Sequence, residues 1–203
     1  AKKILTGRFR NDWTDKFNLG FSSNKKLIKD IRTNLMIGWL SSNFKGLKII
    51  LLIRNPYSVI SSWKRLDWGI ETDGDRREID ILYNQKKLLD DFPLIKKSYQ
   101  LFDTSDYVST LALMWAILHY VPLSQNKRKR FYLLRYEDLI QDREYTLRNL
   151  FKYLRINPDI DKINFMIDNP SHTAFNKKKF NAYSNELEEK EVKKINNILE
   201  YFK

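Results

Sequence analysis

A short apolar run that stops at an arginine and a proline is the strongest constraint on what this chain can fold into. Ile49–Ile53 is continuous, apolar and rich in β-branched residues. A run of that kind suits a strand buried on both faces of a parallel sheet better than a helix. It ends at Arg54-Asn55-Pro56, after which Val59, Ile60 and Trp63 recur at helical spacing. Proline fits the first position of a helix, so the reading is strand, tight turn, helix. Arg54 then stands at the carboxyl end of a parallel strand, the end at which open α/β sheets bind ligands. The N–H groups that open the helix and the Arg54 guanidinium together make an anion site. Ser62, two turns into the helix, adds a hydroxyl donor from the same side. An ordinary buried strand carrying a surface arginine is the plainer alternative.

The flanking pattern extends this unit. Lys25–Asp30 holds an apolar pair that reads as a short strand ending at Lys29-Asp30. Leu35, Met36, Trp39, Leu40 and Phe44 give the stripe of an amphipathic helix, stopped by Gly46. Met36 and Trp39 are read as core. Strand, helix and strand make a right-handed βαβ crossover. Asp67–Asp103 reads as a loop, with helical pattern over Ile79–Phe92 broken at Pro93, that covers a site and meets its substrate.

Further on, Thr104, Ser105 and Asp106 are good caps for a dense apolar helix running to Tyr120. The strand Phe131–Leu134 leads into Arg135-Tyr136-Glu137-Asp138. Leu147, Leu150, Phe151 and Leu154 define a helix over Arg143–Leu154 that Asn157-Pro158 terminates. Val192, Ile195, Leu199 and Phe202 form the stripe of a last helix, Leu187–Phe202.

Composition narrows the function classes. A chain of 203 residues with 42% hydrophobic and 14% aromatic residues is globular and is most simply one domain, 1–203. It has no run of about 18 apolar residues and no signal-peptide core at Ala1-Lys2-Lys3, so neither a membrane span nor export is expected. The absence of cysteine excludes disulfides and thiol chemistry and fits a cytoplasmic location. Two histidines, His119 and His172, without cysteine leave a zinc site short of ligands, so no metal is expected. The net charge of +12 leaves nucleic acid, anionic membrane, acidic polysaccharide or a phosphorylated cofactor open, beside plain lysine-rich surface.

Two motifs resemble one family. Arg54-Asn55-Pro56 with Ser62 resembles the 3′-phosphate-binding motif of sulfotransferases that use 3′-phosphoadenosine 5′-phosphosulfate (PAPS). Phe131–Leu139, FYLLRYEDL, looks like the strand and Tyr-Glu-Asp-Leu signature found further along in that family. The resemblance covers roughly Leu27 to Phe202. It implies a three-layer α/β sandwich with a mainly parallel central sheet, akin to P-loop NTPases. It further implies sulfuryl transfer from PAPS to a hydroxyl or amine of a small-molecule or glycan acceptor. Arg54 and Ser62 would anchor the 3′-phosphate, and Tyr136 would lie close to the nucleotide. Lys29 stands where many family members have Lys-Asp-Pro, here Lys29-Asp30-Ile31, and would face the sulfuryl group as the catalytic lysine. Lys177 and Lys178, in Lys177-Lys178-Lys179 between Phe175 and Phe180, stand where the family has a basic loop over the cofactor.

The resemblance has a gap. The glycine-rich strand–loop–helix that wraps the 5′-phosphosulfate in the family has no counterpart in the sequence, and a fragment of a longer domain is the expectation. The general base is not legible; Asp12, Asp15 and His119 are candidates. Two other classes stay open: a basic nucleic-acid-binding module built on interleaved lysines and aromatics such as Lys177–Phe180, and a catalytically inactive cofactor-binding homologue.

Overall fold

The dense apolar stretch around Leu113 forms the axis of the fold. In the computed structural model, which describes residues 2–5, 27–31, 33–69, 77–126, 130–159, 161, 163 and 187–203, the chain divides into two compact units, Ala1–Thr33 and Asn34–Lys203. In the first unit the described parts are a one-turn helix α1 (Lys2–Leu5) and irregular backbone over residues 27–31. Leu27 is 91% exposed there. Among the described residues, the strand expected at Lys25–Asp30 is not formed over 27–30, where the apolar pair has neither a partner ladder nor a face to bury. The βαβ crossover expected from it is likewise not seen among the described residues.

The second unit is α/β and mostly helical. A 3₁₀ turn (Asn34–Met36) leads into α2 (Ile37–Asn43), then β1 (Ile50–Ile53) and α3 (Pro56–Arg65). Three helices follow: α4 (Glu78–Tyr83), α5 (Lys86–Asp91) and α6 (Pro93–Leu101). The long α7 (Tyr107–Gln125) comes next, then β2 (Tyr132–Arg135), α8 (Tyr136–Gln141), α9 (Arg143–Leu154) and α10 (Glu189–Tyr201). β1 and β2 pair in parallel, with Ile50 beside Tyr132 and Ile53 beside Arg135.

α7 is apolar nearly all round, as a helix packed inside a fold must be. Leu111, Leu113 and Ile117 are fully buried in it, among Ile60 of α3, Ile79 of α4, Ile95 of α6 and Ile195 and Ile198 of α10. Each such side chain contributes roughly 1.5–3 kcal/mol. The helix starts at Asp106, whose carboxylate accepts the Ser109 N–H at 2.9 Å, and runs on past Tyr120 through Pro122. By length and composition alone α7 would cross a membrane, yet its surroundings are those of a core helix.

A second, smaller apolar group, Ile37, Leu51 and Phe131, packs against the sheet. Leu52, next to Leu51, is 53% exposed, so among the described residues β1 is not buried on both faces as expected. Met36 and Trp39 are also nearly half exposed, which corrects their reading as core. Ile37 and Gly38 face inward instead, and Trp39 lies edge-on to Phe44. The helical stretch breaks before Pro93 as expected, α5 ending at Asp91, and Pro93 itself opens α6 at its first position. α9 has the expected bounds, but Asn157-Pro158 does not set its end: Arg155 stops the helix first by adopting the left-handed conformation, φ 56° and ψ 46°.

Candidate functional site

β1 and β2 end side by side, at Ile53 and Arg135. The chain therefore leaves the sheet twice at the same level, through Arg54-Asn55 into α3 and directly from Arg135 into α8, whose first turn begins with Tyr136 and Glu137. The residues that follow each strand meet. The Arg54 guanidinium lies over the Tyr136 ring, 4.6 Å from its centre. One residue further, the Asn55 N–H donates to Glu137 Oε1 at 2.7 Å, across 82 positions of sequence.

Local chemistry explains the start of α3. Pro56 has the fixed backbone angle and missing N–H that suit a first helical residue. Asn55 caps the turn: its Oδ1 accepts the N–H of Tyr57 at 3.0 Å and of Ser58 at 3.3 Å. A cap of this kind contributes about 1 kcal/mol. Further along, Ile60 and Ser61 turn into the core. Tyr57 is hydrogen-bonded to Asn196, and Lys64 pairs with Glu191 at 2.6 Å, so α10 holds α3 from the side.

This geometry corrects one expectation. The N–H groups opening α3 are not open to an anion: Asn55 donates to Glu137, Pro56 has none, and Tyr57 and Ser58 donate to the cap. The donors for an anion at this turn are side chains. The Arg54 guanidinium, a group suited to recognising phosphate, is held against the Tyr136 ring. The positive end of α3 adds a favourable field. Ser62 lies on α3, partly buried, six residues after Pro56, or about 9 Å of helix rise.

The other sequence-derived residues fall elsewhere. Lys29 is exposed, in irregular backbone of the first unit. Lys177, Lys178, Asp12 and Asp15 lie outside the described residues. His119 sits within α7 with its ring stacked on Trp115, 4.2 Å between centres, and its Nδ1 2.6 Å from the Trp115 carbonyl oxygen. Burial pushes His119 below its ordinary value, against the upward pull of that hydrogen bond. Its role in the fold is packing.

Sequence reasoning missed Glu137. The signal was present in the two strand ends: a parallel pair ending in register places the next residues of both strands together.

The two turns lie within residues 15–200, the span matched by the family model described as sulfotransferase domain. Curated proteins and solved structures give no match. With nearly the whole chain matched, and with its Arg-Asn-Pro and Tyr-Glu-Asp-Leu motifs joined at the ends of neighbouring parallel strands, the chain belongs to the sulfotransferase domain family.

Proposed function

We propose that this chain is a PAPS-dependent sulfotransferase domain, built as a three-layer sandwich with a mainly parallel central sheet. The observation that carries the reading is the meeting of Arg54 with Tyr136 in a chain of the sulfotransferase family. A cation and an aromatic face side by side match the two chemistries of an adenine nucleotide, phosphate and base.

The residues fit such a group. Arg54, just before α3, offers its guanidinium charge to a 3′-phosphate, and Ser62 offers a hydroxyl from α3 itself. Tyr136 lies against the guanidinium and borders the nucleotide. By the family resemblance alone, Lys29 is the candidate for neutralising charge on the transferred group, and Lys177 and Lys178 are candidates for binding the cofactor. PAPS, when bound, supplies the sulfuryl group for a hydroxyl or amine of a small-molecule or glycan acceptor. The protein's part is to position the reactants, to neutralise charge and to exclude water.

Transfer of radiolabelled sulfate from PAPS to a panel of hydroxyl and amine acceptors tests the reading. Residues 1–203 alone, in which no 5′-phosphosulfate loop is legible, are expected to transfer at or near background, and the same chain supplied with such a strand–loop–helix to give labelled product that disappears in Arg54→Ala. Cofactor binding with no transfer by either protein would favour the inactive homologue instead.

A further inference from the structure

We infer that Glu137 is a positioning residue for the anion site, its carboxylate clamping the Arg54-Asn55 turn to the Tyr136-Glu137 turn. The inference rests on the cofactor reading only for the identity of the anion.

The ladder between β1 and β2 ends at Ile53 and Arg135, so it does not restrain the turns beyond. Arg54 belongs to one turn and Tyr136 to the other. Their stacking alone is a weak restraint, about 0.5–1 kcal/mol where water has access. The bond from the Asn55 N–H to Glu137 Oε1, at 2.7 Å, is short and charge-assisted. It lies one residue beyond the Arg54–Tyr136 pair on both segments. It also acts on the residue whose side chain caps α3, so cap and clamp hold the same backbone.

Each side of the clamp is anchored separately. α3 is tied to α10 through Lys64 and Glu191. α8 is tied to α9 through the Thr146 hydroxyl, which donates to the Asp138 carbonyl at 3.1 Å. Glu137 thus joins two supported elements at the level of the anion-binding arginine. A carboxylate beside a phosphate site would oppose the anion if it acted by charge alone. Accepting the Asn55 N–H gives it a different task, fixing where the Arg54 donor fork lies. Glutamine, which keeps an acceptor oxygen, should therefore replace it, and alanine should not.

The test uses the 203-residue chain as wild type, Glu137→Ala and Glu137→Gln, with two readouts. The first is amide exchange at Asn55, by NMR on unliganded protein. Protection is expected in wild type and the glutamine variant, with exchange about tenfold faster in the alanine variant. The second is the affinity for adenosine 3′,5′-bisphosphate, expected about tenfold weaker in Glu137→Ala and within about threefold of wild type in Glu137→Gln.

An unprotected Asn55 amide in wild type overturns the clamp and needs no variant to fold. Equal bisphosphate affinity of wild type and Glu137→Ala overturns the positioning role, even if the melting temperature falls. A glutamine variant as weak as alanine overturns it as well, since charge and not the bond would then matter. If wild type does not bind the bisphosphate, the cofactor reading fails separately, and the exchange measurement alone decides the clamp.

Discussion

The guanidinium carbon of Arg54 lies 4.6 Å from the centre of the Tyr136 ring, joining the turn after one parallel strand to the turn after the next. The contact restrains where the Arg54 guanidinium lies. It also makes arginine and lysine unequal at this position, because an ammonium has neither the flat face nor the donor fork.

Arg54→Lys and Tyr136→Leu should therefore be coupled. Each alone should weaken bisphosphate binding. The double variant should lose less than the sum, by about 0.5–1 kcal/mol. A double-mutant cycle by calorimetry measures this, and strict additivity would show that the stacking has no role in binding.

Substitutions at Asn55 should separate stability from binding. Asn55→Ala removes the cap and should cost about 1 kcal/mol in urea unfolding. Asn55→Asp keeps a capping oxygen and most of the stability. It also sets a second carboxylate near Glu137 and the anion, so it should lower bisphosphate affinity more than alanine does. The reverse ranking on either measurement would contradict the assignment of Asn55 as an uncharged cap.

The residues that were legible in sequence share a property: their signals are local. Pro56 at a helix start, the Asp106 cap and the stripe of Leu147, Leu150 and Leu154 are each decided within a few positions. What was not legible depends on partners far away. The pair Leu27-Ile28 looks like a strand, but a strand needs a ladder that local sequence does not encode. Trp39 fits an apolar stripe and is nonetheless 48% exposed, since the neighbours of α2 cover Ile37 and Gly38 instead. The Asn55–Glu137 bond joins two residues with no periodic signature, so only the register of the sheet reveals it.

Asp106→Ala should cost about 1–2 kcal/mol, because it uncaps the central helix and removes the partner of Lys194. Burial pushes the Asp106 carboxyl up, but the hydrogen bonds from Lys194 and Ser109 outweigh it, leaving a net shift below 3.8. A depressed carboxyl contributes stability that is present above 3.8 and is lost as pH falls through its lower folded value. The gap between wild type and variant should be constant near neutral pH and close below about pH 4. Urea unfolding at a series of pH values checks this, and a gap that widens in acid would contradict it.

His119 carries the opposite group with the same direction of pH dependence. Its protonated form is disfavoured by burial, so the stability of the neutral form is present above 6.5 and lost as pH falls from there toward the folded value. His119→Phe keeps a ring against Trp115 and cannot be protonated. The variant should gain on wild type as pH falls from 6.5 toward 5 in thermal unfolding. Parallel melting curves for the two proteins across that range would show that His119 does not titrate on unfolding.

The central claim is that Arg54 and the joined turns form the site for a 3′-phosphate. Calorimetric titration of the wild-type chain with adenosine 3′,5′-bisphosphate and with AMP tests it most directly. The two ligands differ by the phosphate assigned to Arg54, and a charge-assisted contact is worth about 1.5–3 kcal/mol, or roughly tenfold or more in affinity. The account predicts that margin in favour of the bisphosphate, and its collapse in Arg54→Ala with AMP binding little changed. Equal affinity of the wild-type chain for the two nucleotides would contradict it.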